Sequence, residues 1–152
     1  MLGNAKAQLL IVGNPYDKDI EIKIKNRSEN KNIKTILKFV PNEEIQIYMN
    51  AADIVVIPYR EILTSGAVIL AMTFGKPVIA PKMGCVSDIL NEKGGFLYQG
   101  GDGLLEAMKT ALNTSKEKLN KMGEHNFKLA ERLDWNSNAE NTYEIYKELK
   151  VD

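Results

Sequence analysis

Cysteine occurs once in this chain, at Cys85, so no disulfide can form within it and the composition fits a reducing compartment. Histidine also occurs once, at His125, with no Cys or His partner at metal spacing, which argues against a zinc site. Net charge is lacking too, because 20 basic and 20 acidic side chains cancel to a formal charge of zero. Bulk attraction to nucleic acid or to an anionic membrane therefore has no source. No apolar run approaches the ~20 residues that span a bilayer, and the N-terminus does not read as a signal peptide. Neither a Gly-x-Gly-x-x-Gly loop nor a Gly-Lys-Ser/Thr loop occurs, which weighs against dinucleotide oxidoreductases and P-loop enzymes. These absences predict a cytoplasmic protein with no metal, no cofactor and no nucleic-acid partner.

What is present is an ordinary globular composition, 152 residues with 44% hydrophobic and 26% charged side chains. That length predicts a single domain over residues 1–152 with a sizeable core. Five apolar segments read as strands: AQLLIVG (7–13), IKTILKFV (33–40), DIVVIPY (53–59), PVIAP (77–81) and GGFLYQ (94–99). Several are continuous rather than alternating, the pattern of parallel strands covered on both faces. Helical patterns fall between them. Pro41 and Asn42 open one, with Glu43 and Glu44 in its first turn and Ile45, Tyr48 and Met49 on one face. Another runs from Ser65 to a glycine stop at Gly75. A third carries Leu104, Leu105, Met108, Ala111 and Leu112 in helical register, and two closing helices follow from about residue 115. The segment DIEIKIKN (19–26) alternates at period two, which taken alone says strand. The architecture wants a helix there, and Ile20 and Ile24 would share a helical face. Strands alternating with helices predict an α/β fold, a Rossmann-like, doubly wound parallel sheet flanked by helices.

In such sheets ligands bind outside the carboxyl ends of the strands. The stretch YREILTSG (59–66) sits there, with Thr64, Ser65 and Gly66 opening a helix beyond the third strand. Unpaired N–H groups and the helix dipole suit a phosphate at that point. Hydroxyls of Thr64 and Ser65, the bare backbone of Gly66 and the guanidinium of Arg60 would add to it. The plainer reading makes Thr64 or Ser65 only an N-cap. Asp17-Lys18-Asp19 has the Asp-x-Asp form of metal-dependent transferases, yet at a helix start it reads as a cap. Cys85 reads as a packing thiol.

The run AADIVVIPYREILTSGAVILAMTFGKPVIAP (51–81) resembles the donor-binding part of family 4 nucleotide-sugar glycosyltransferases of the GT-B fold. The resemblance extends upstream to LLIVGNP and ILKFVPNEEIQIYMN. Downstream it takes in KMGCVSDIL, GGFLYQGGDGLLEAM and DWNSNAENTYEIY, so it covers nearly the whole chain. It implies a GT-B C-terminal domain lacking its first strand, and a glycosyltransferase in which a separate N-terminal domain binds the acceptor. The donor, a UDP- or GDP-sugar, would lose its sugar to an acceptor hydroxyl, and the isolated chain would be inactive. The diphosphate would meet Arg60, Thr64, Ser65 and Gly66, and the nucleoside would meet Gly13, Asn14, Phe39, Val40 and Pro41. Two glutamates of the family pattern would fall at Ile62 and Leu70, neither acidic here, which leaves Glu61 as the one candidate catalytic carboxylate. Asp88 stands where the family has a glutamate near a helix start, and reads as a dipole partner. For Phe39 core packing is the competing reading, and for Glu61 a solvated surface. Two alternatives remain beside the transferase: a non-catalytic nucleotide-binding or partner domain, and a fragment of a GT-B sugar-nucleotide epimerase. Self-association stays open.

Overall fold

The computed structural model describes residues 7–61, 65–133 and 135–149. They fall into two compact units that part between Ala51 and Ala52.

The first unit runs β1 (Leu9–Val12), α1 (Lys18–Arg27), β2 (Ile33–Ile36) and α2 (Asn42–Ala51). β1 and β2 are parallel, in register from Leu9↔Ile33 to Val12↔Ile36. The ambiguous segment is helical, as the architecture demanded. Asp17 caps α1, its Oδ1 accepting from the Ile20 N–H at 2.7 Å, and Glu21 pairs with Lys25 one turn on. Acids in the first turn and Lys25 and Arg27 in the last complement the dipole. These local terms outweigh a period-two pattern. β1 departs from the expectation of two covered faces: Leu9 and Leu10, on opposite faces, are both 36% exposed. No described residue of this unit is fully buried; two strands and two helices supply too few layers to close over a strand.

The second unit runs β3 (Val55–Val56), α3 (Gly66–Thr73), β4 (Val78–Pro81), α4 (Val86–Ile89), β5 (Gly95–Tyr98), α5 (Gly100–Leu112), α6 (Lys116–Ala130) and α7 (Trp135–Glu148). Its sheet is parallel in the order β3-β4-β5. The central strand β4 is buried along its whole length and feeds two cores. Val78 and Ala80 join Val68, Ala71 and Met72 of α3, with Val86, Leu90 and Ala130. Ile79 turns the other way, to Ala107 and Ala111 of α5. Alternate residues of one strand thus serve opposite faces, which is what a doubly wound sheet requires. Val68, Met72 and Val78 are wholly excluded from solvent, each contributing about 1.5–3 kcal/mol.

α3 stops where the sequence predicts. Gly75 adopts φ +61, its N–H donates to the Met72 carbonyl at 2.9 Å, and the Lys76 N–H donates to the Ala71 carbonyl at 3.0 Å. That pair of bonds is a Schellman motif, and it turns the chain straight into β4. α6 then crosses close by: a Cβ on Gly123 would lie 2.0 Å from the Gly75 carbonyl oxygen. One turn on, Asn126 is fully buried, and its Nδ2 donates to the carbonyls of Lys76 at 2.8 Å and Gly94 at 2.7 Å. α6 is thereby tied to the residues just ahead of β4 and β5. The Asn126 Oδ1 has no hydrogen-bond partner among the described residues and fills the space where a side chain on Gly94 would start, 1.7 Å from that Cβ. α7 differs from the other closing helix, since it buries no residue and leaves Trp135 88% exposed.

The packing predicts a coupled pair of substitutions. Gly94→Ala alone is expected to cost about 1–3 kcal/mol by overpacking. Asn126→Ala alone should cost about 1–3 kcal/mol, because two hydrogen bonds from one wholly buried amide are lost. In the Asn126→Ala background, Gly94→Ala should cost less than about 1 kcal/mol. Urea unfolding of the four proteins of this cycle measures the coupling; additive costs would show that the two residues do not compete for one space.

Candidate functional site

Beyond β3 the strand ladder continues to Ile57, whose N–H donates to the Ile79 carbonyl at 2.9 Å. The chain then leaves the sheet through Pro58, Tyr59, Arg60 and Glu61, all exposed at the carboxyl end of the strand. Neither Arg60 nor Glu61 enters an ion pair among the described residues. Thr64 and Ile62 lie outside the described residues. Ser65 is buried, with extended backbone at φ −140 and ψ 101, and its Oγ accepts from the Val68 N–H at 3.2 Å. Ser65 is therefore the N-cap of α3, and the plain reading of that residue holds. Capping consumes the Val68 N–H, and the Ile69 N–H closes on the Ser65 carbonyl at 3.4 Å. The N–H groups of Gly66 and Ala67 belong to the first turn, which has no intrahelical acceptor for them, and they make no hydrogen bond among the described residues.

Gly66 is the informative residue. Its φ lies outside the left-handed region, and a Cβ built on it would meet nothing within 4 Å. Neither backbone conformation nor packing asks for glycine there. What remains is access: a bare backbone leaves the open N–H groups of α3 reachable from solvent. α3 itself is held by its buried Val68, Ala71 and Met72, so the opening is carried on a rigid element. Next to it in the sheet, β4 ends on buried Pro81, and the Lys82 N–H donates to the Tyr98 carbonyl at 2.7 Å. Leu70, where the resemblance puts a glutamate, is half-buried in α3. Asp88 lies in the first turn of the four-residue helix α4, exposed, as a dipole partner would.

The other candidates belong to the first unit. Gly13 follows β1 with φ +148, and its N–H donates to the Ile36 carbonyl at 3.1 Å. Asn14 beside it is exposed. Phe39 is 73% exposed, so it is not core, and the competing reading for that residue fails. Val40 and Pro41 are half-buried at the entry to α2. Lys38 bonds Glu44 at 2.8 Å, and that hydrogen bond, then the Glu44 charge, raise the pKa of the ammonium above its ordinary value. In the second unit burial raises the Tyr98 hydroxyl. Tyr16 is 94% exposed in the loop after β1. Among the described residues no three His, Cys, Asp or Glu side chains are placed to hold a metal ion. No helix among them is long and apolar enough to cross a membrane.

Residues 2–114 match a family described as Glycosyl transferases group 1. Over 99 residues the chain is 29% identical to a GDP-mannose:glycolipid 4-beta-D-mannosyltransferase of Xanthomonas campestris pv. campestris. That alignment takes in 62% of this chain and 28% of the relative, so the chain spans under a third of the protein it matches. Among solved structures, sucrose-phosphate synthase from Thermosynechococcus elongatus superposes with a TM-score of 0.75 at 23% identity, over 93% of this chain and 38% of that one. The catalytic domain of starch synthase IV from Arabidopsis thaliana, bound to ADP and acarbose, gives 0.74 at 20% identity over 93% of this chain and 32% of its own. At those identities the superpositions establish the fold, and it is the one the alternating strands and helices predicted.

The capping geometry yields a stability prediction. Ser65→Ala should cost about 1 kcal/mol, the usual loss of a hydroxyl cap. Ser65→Thr should restore most of it, and urea midpoints of the three proteins compare them. Equal midpoints for wild type and Ser65→Ala would remove the cap from the account of α3.

Proposed function

The chain belongs to the glycosyl transferases group 1 family, and from that premise we propose that it is the donor-binding domain of a glycosyltransferase. The observation that carries this reading is the opening of α3, where Gly66 leaves the backbone bare although nothing stands within 4 Å of its missing Cβ. The ligand is the diphosphate of a nucleotide sugar. Open N–H groups of Gly66 and Ala67 face the phosphate, and Arg60, exposed in the preceding loop, supplies a full positive charge. A relative named for GDP-mannose favours a guanosine diphosphate sugar over a uridine one. In the whole enzyme an acceptor hydroxyl attacks the anomeric carbon, the bond from that carbon to the diphosphate oxygen breaks, and the nucleoside diphosphate leaves with the electron pair while the hydroxyl's proton passes to a base or to the departing phosphate. Negative charge grows on the departing phosphate, and preorganised N–H donors stabilise it there more than in the ground state. The donor is bound without a metal ion. The acceptor is held by a counterpart outside this chain. Glu61 is the only described carboxylate in the loop leaving β3, and it stands as the candidate acid or base.

Gly66→Ala separates ligand access from folding. With open space around the added methyl, the variant should fold with stability equal to wild type or higher by up to ~1 kcal/mol, from better helix propensity. Its affinity for GDP in calorimetry with EDTA present should nonetheless fall at least roughly tenfold, through blocked approach to the N–H groups. Unchanged GDP affinity in a normally folded Gly66→Ala protein would remove the α3 opening from donor binding.

A further inference from the structure

β3 and β4 are parallel neighbours, and the chain leaves both at the carboxyl edge of the second unit's sheet. Beyond β4 the Lys82 N–H still bonds the Tyr98 carbonyl of β5 at 2.7 Å, and the Met83 N–H turns back to the Pro81 carbonyl at 3.0 Å. Lys82 is therefore the last residue held in the register of the strand. Alternation then sets its face. Val78 and Ala80 pack in the core that holds α3, whereas Ile79 packs in the core that holds α5, so Lys82 falls on the α3 side. α3 leaves the end of β3 and delivers the chain to the start of β4, which puts its first turn at the same carboxyl edge. Lys82 and the open N–H groups of Gly66 and Ala67 share one end and one face of the sheet.

Lys82 is exposed, and its ammonium enters no hydrogen bond or ion pair among the described residues. Glu61, Asp88 and Asp102, the acids that follow the three strands, are exposed and none of them pairs with it. Charge balance gives that cation a use. The diphosphate of a nucleotide sugar carries about two negative charges, and the nucleoside diphosphate left behind about three, since a terminal phosphate loses its second proton near pH 6. Against these stand one guanidinium, Arg60, and about half a charge at the α3 terminus. A second cation is wanting, most of all as the product forms.

We propose that Lys82 is that second cation, meeting the donor's diphosphate from the β4 exit as Arg60 does from the β3 exit. The inference rests on the donor reading above and adds to it a residue that acts through its charge, stabilising the leaving diphosphate more than the bound donor.

The test is calorimetric titration of wild type, Lys82→Gln and Lys82→Arg with GDP, in EDTA, at about 0.05 M and about 0.5 M salt. Lys82→Gln should weaken GDP roughly fivefold at the lower salt, and the deficit should shrink to within ~twofold at the higher. Lys82→Arg should stay within ~twofold of wild type throughout, because the charge is kept. Equal urea midpoints are expected of all three, since the side chain is exposed and unpaired. Wild-type GDP affinity in Lys82→Gln at low salt overturns the role of Lys82 and leaves the donor reading intact. A loss that salt does not diminish, or that Lys82→Arg shares, also overturns it, because neither follows from charge. A wild-type chain that binds none of GDP, UDP and ADP at low salt overturns the donor reading and this inference together.

Discussion

One side-chain amide organises the second unit. The Asn126 Nδ2 gives its two hydrogens to the carbonyls of Lys76 and Gly94, the residues that deliver the chain into β4 and β5. The Gly94 carbonyl accepts from the Val78 N–H as well, at 3.3 Å, so the amide adds a second donor there and ties it to the Lys76 carbonyl. The bonds fix which turn of α6 faces the sheet, and the glycines follow from that. Gly123 lets α6 reach the end of α3, and Gly94 makes room for the amide oxygen. Burial of Asn126 puts a polar network in the interior, where it holds α6 against two segments distant in sequence.

Pinning the strands at their amino ends has a consequence at their carboxyl ends. β4 is buried throughout and shares its residues between two cores, so its direction is fixed. α3 is seated by Val68, Ala71 and Met72 and closed by the Schellman turn at Gly75. Its N-terminus is therefore presented by a rigid helix, while the residues around it (Arg60, Glu61 and Gly66) stay exposed. The carboxyl end of β3 thus carries exposed polar groups beside a buried strand and a seated helix. That arrangement is what a parallel α/β sheet offers a ligand.

The legible parts of the sequence were those with a local physical signature. Continuous apolar segments gave the parallel strands, Gly75 marked the end of α3, Asp17 marked the start of α1, and Ser65 marked the cap of α3. Other parts depended on what lies far away in the chain. Residues 19–26 carry a period of two, and only the cap, the Glu21–Lys25 pair and the surrounding alternation decide for helix. Phe39 reads as core from its apolar neighbours, yet the short β2 ends at Ile36 and leaves the ring outside. β1 has the composition of a covered strand, but coverage depends on how many layers the unit contains. Asn126 looked like one more polar residue on a polar helix, because its partners are separated from it by 50 and 32 residues. The two glutamate positions of the resemblance, Ile62 and Leu70, show the reverse case: fold and family carry over where individual site residues have changed.

The central claim is that the opening of α3 receives a nucleoside diphosphate, and the most direct measurement is an amide NMR titration of the chain with GDP. Saturable shifts of the Gly66 and Ala67 amide resonances are predicted, since these are the donors left open by the Ser65 cap. Saturation with no shift at either amide, or no saturation of a well-folded chain by GDP, UDP or ADP, would contradict the account.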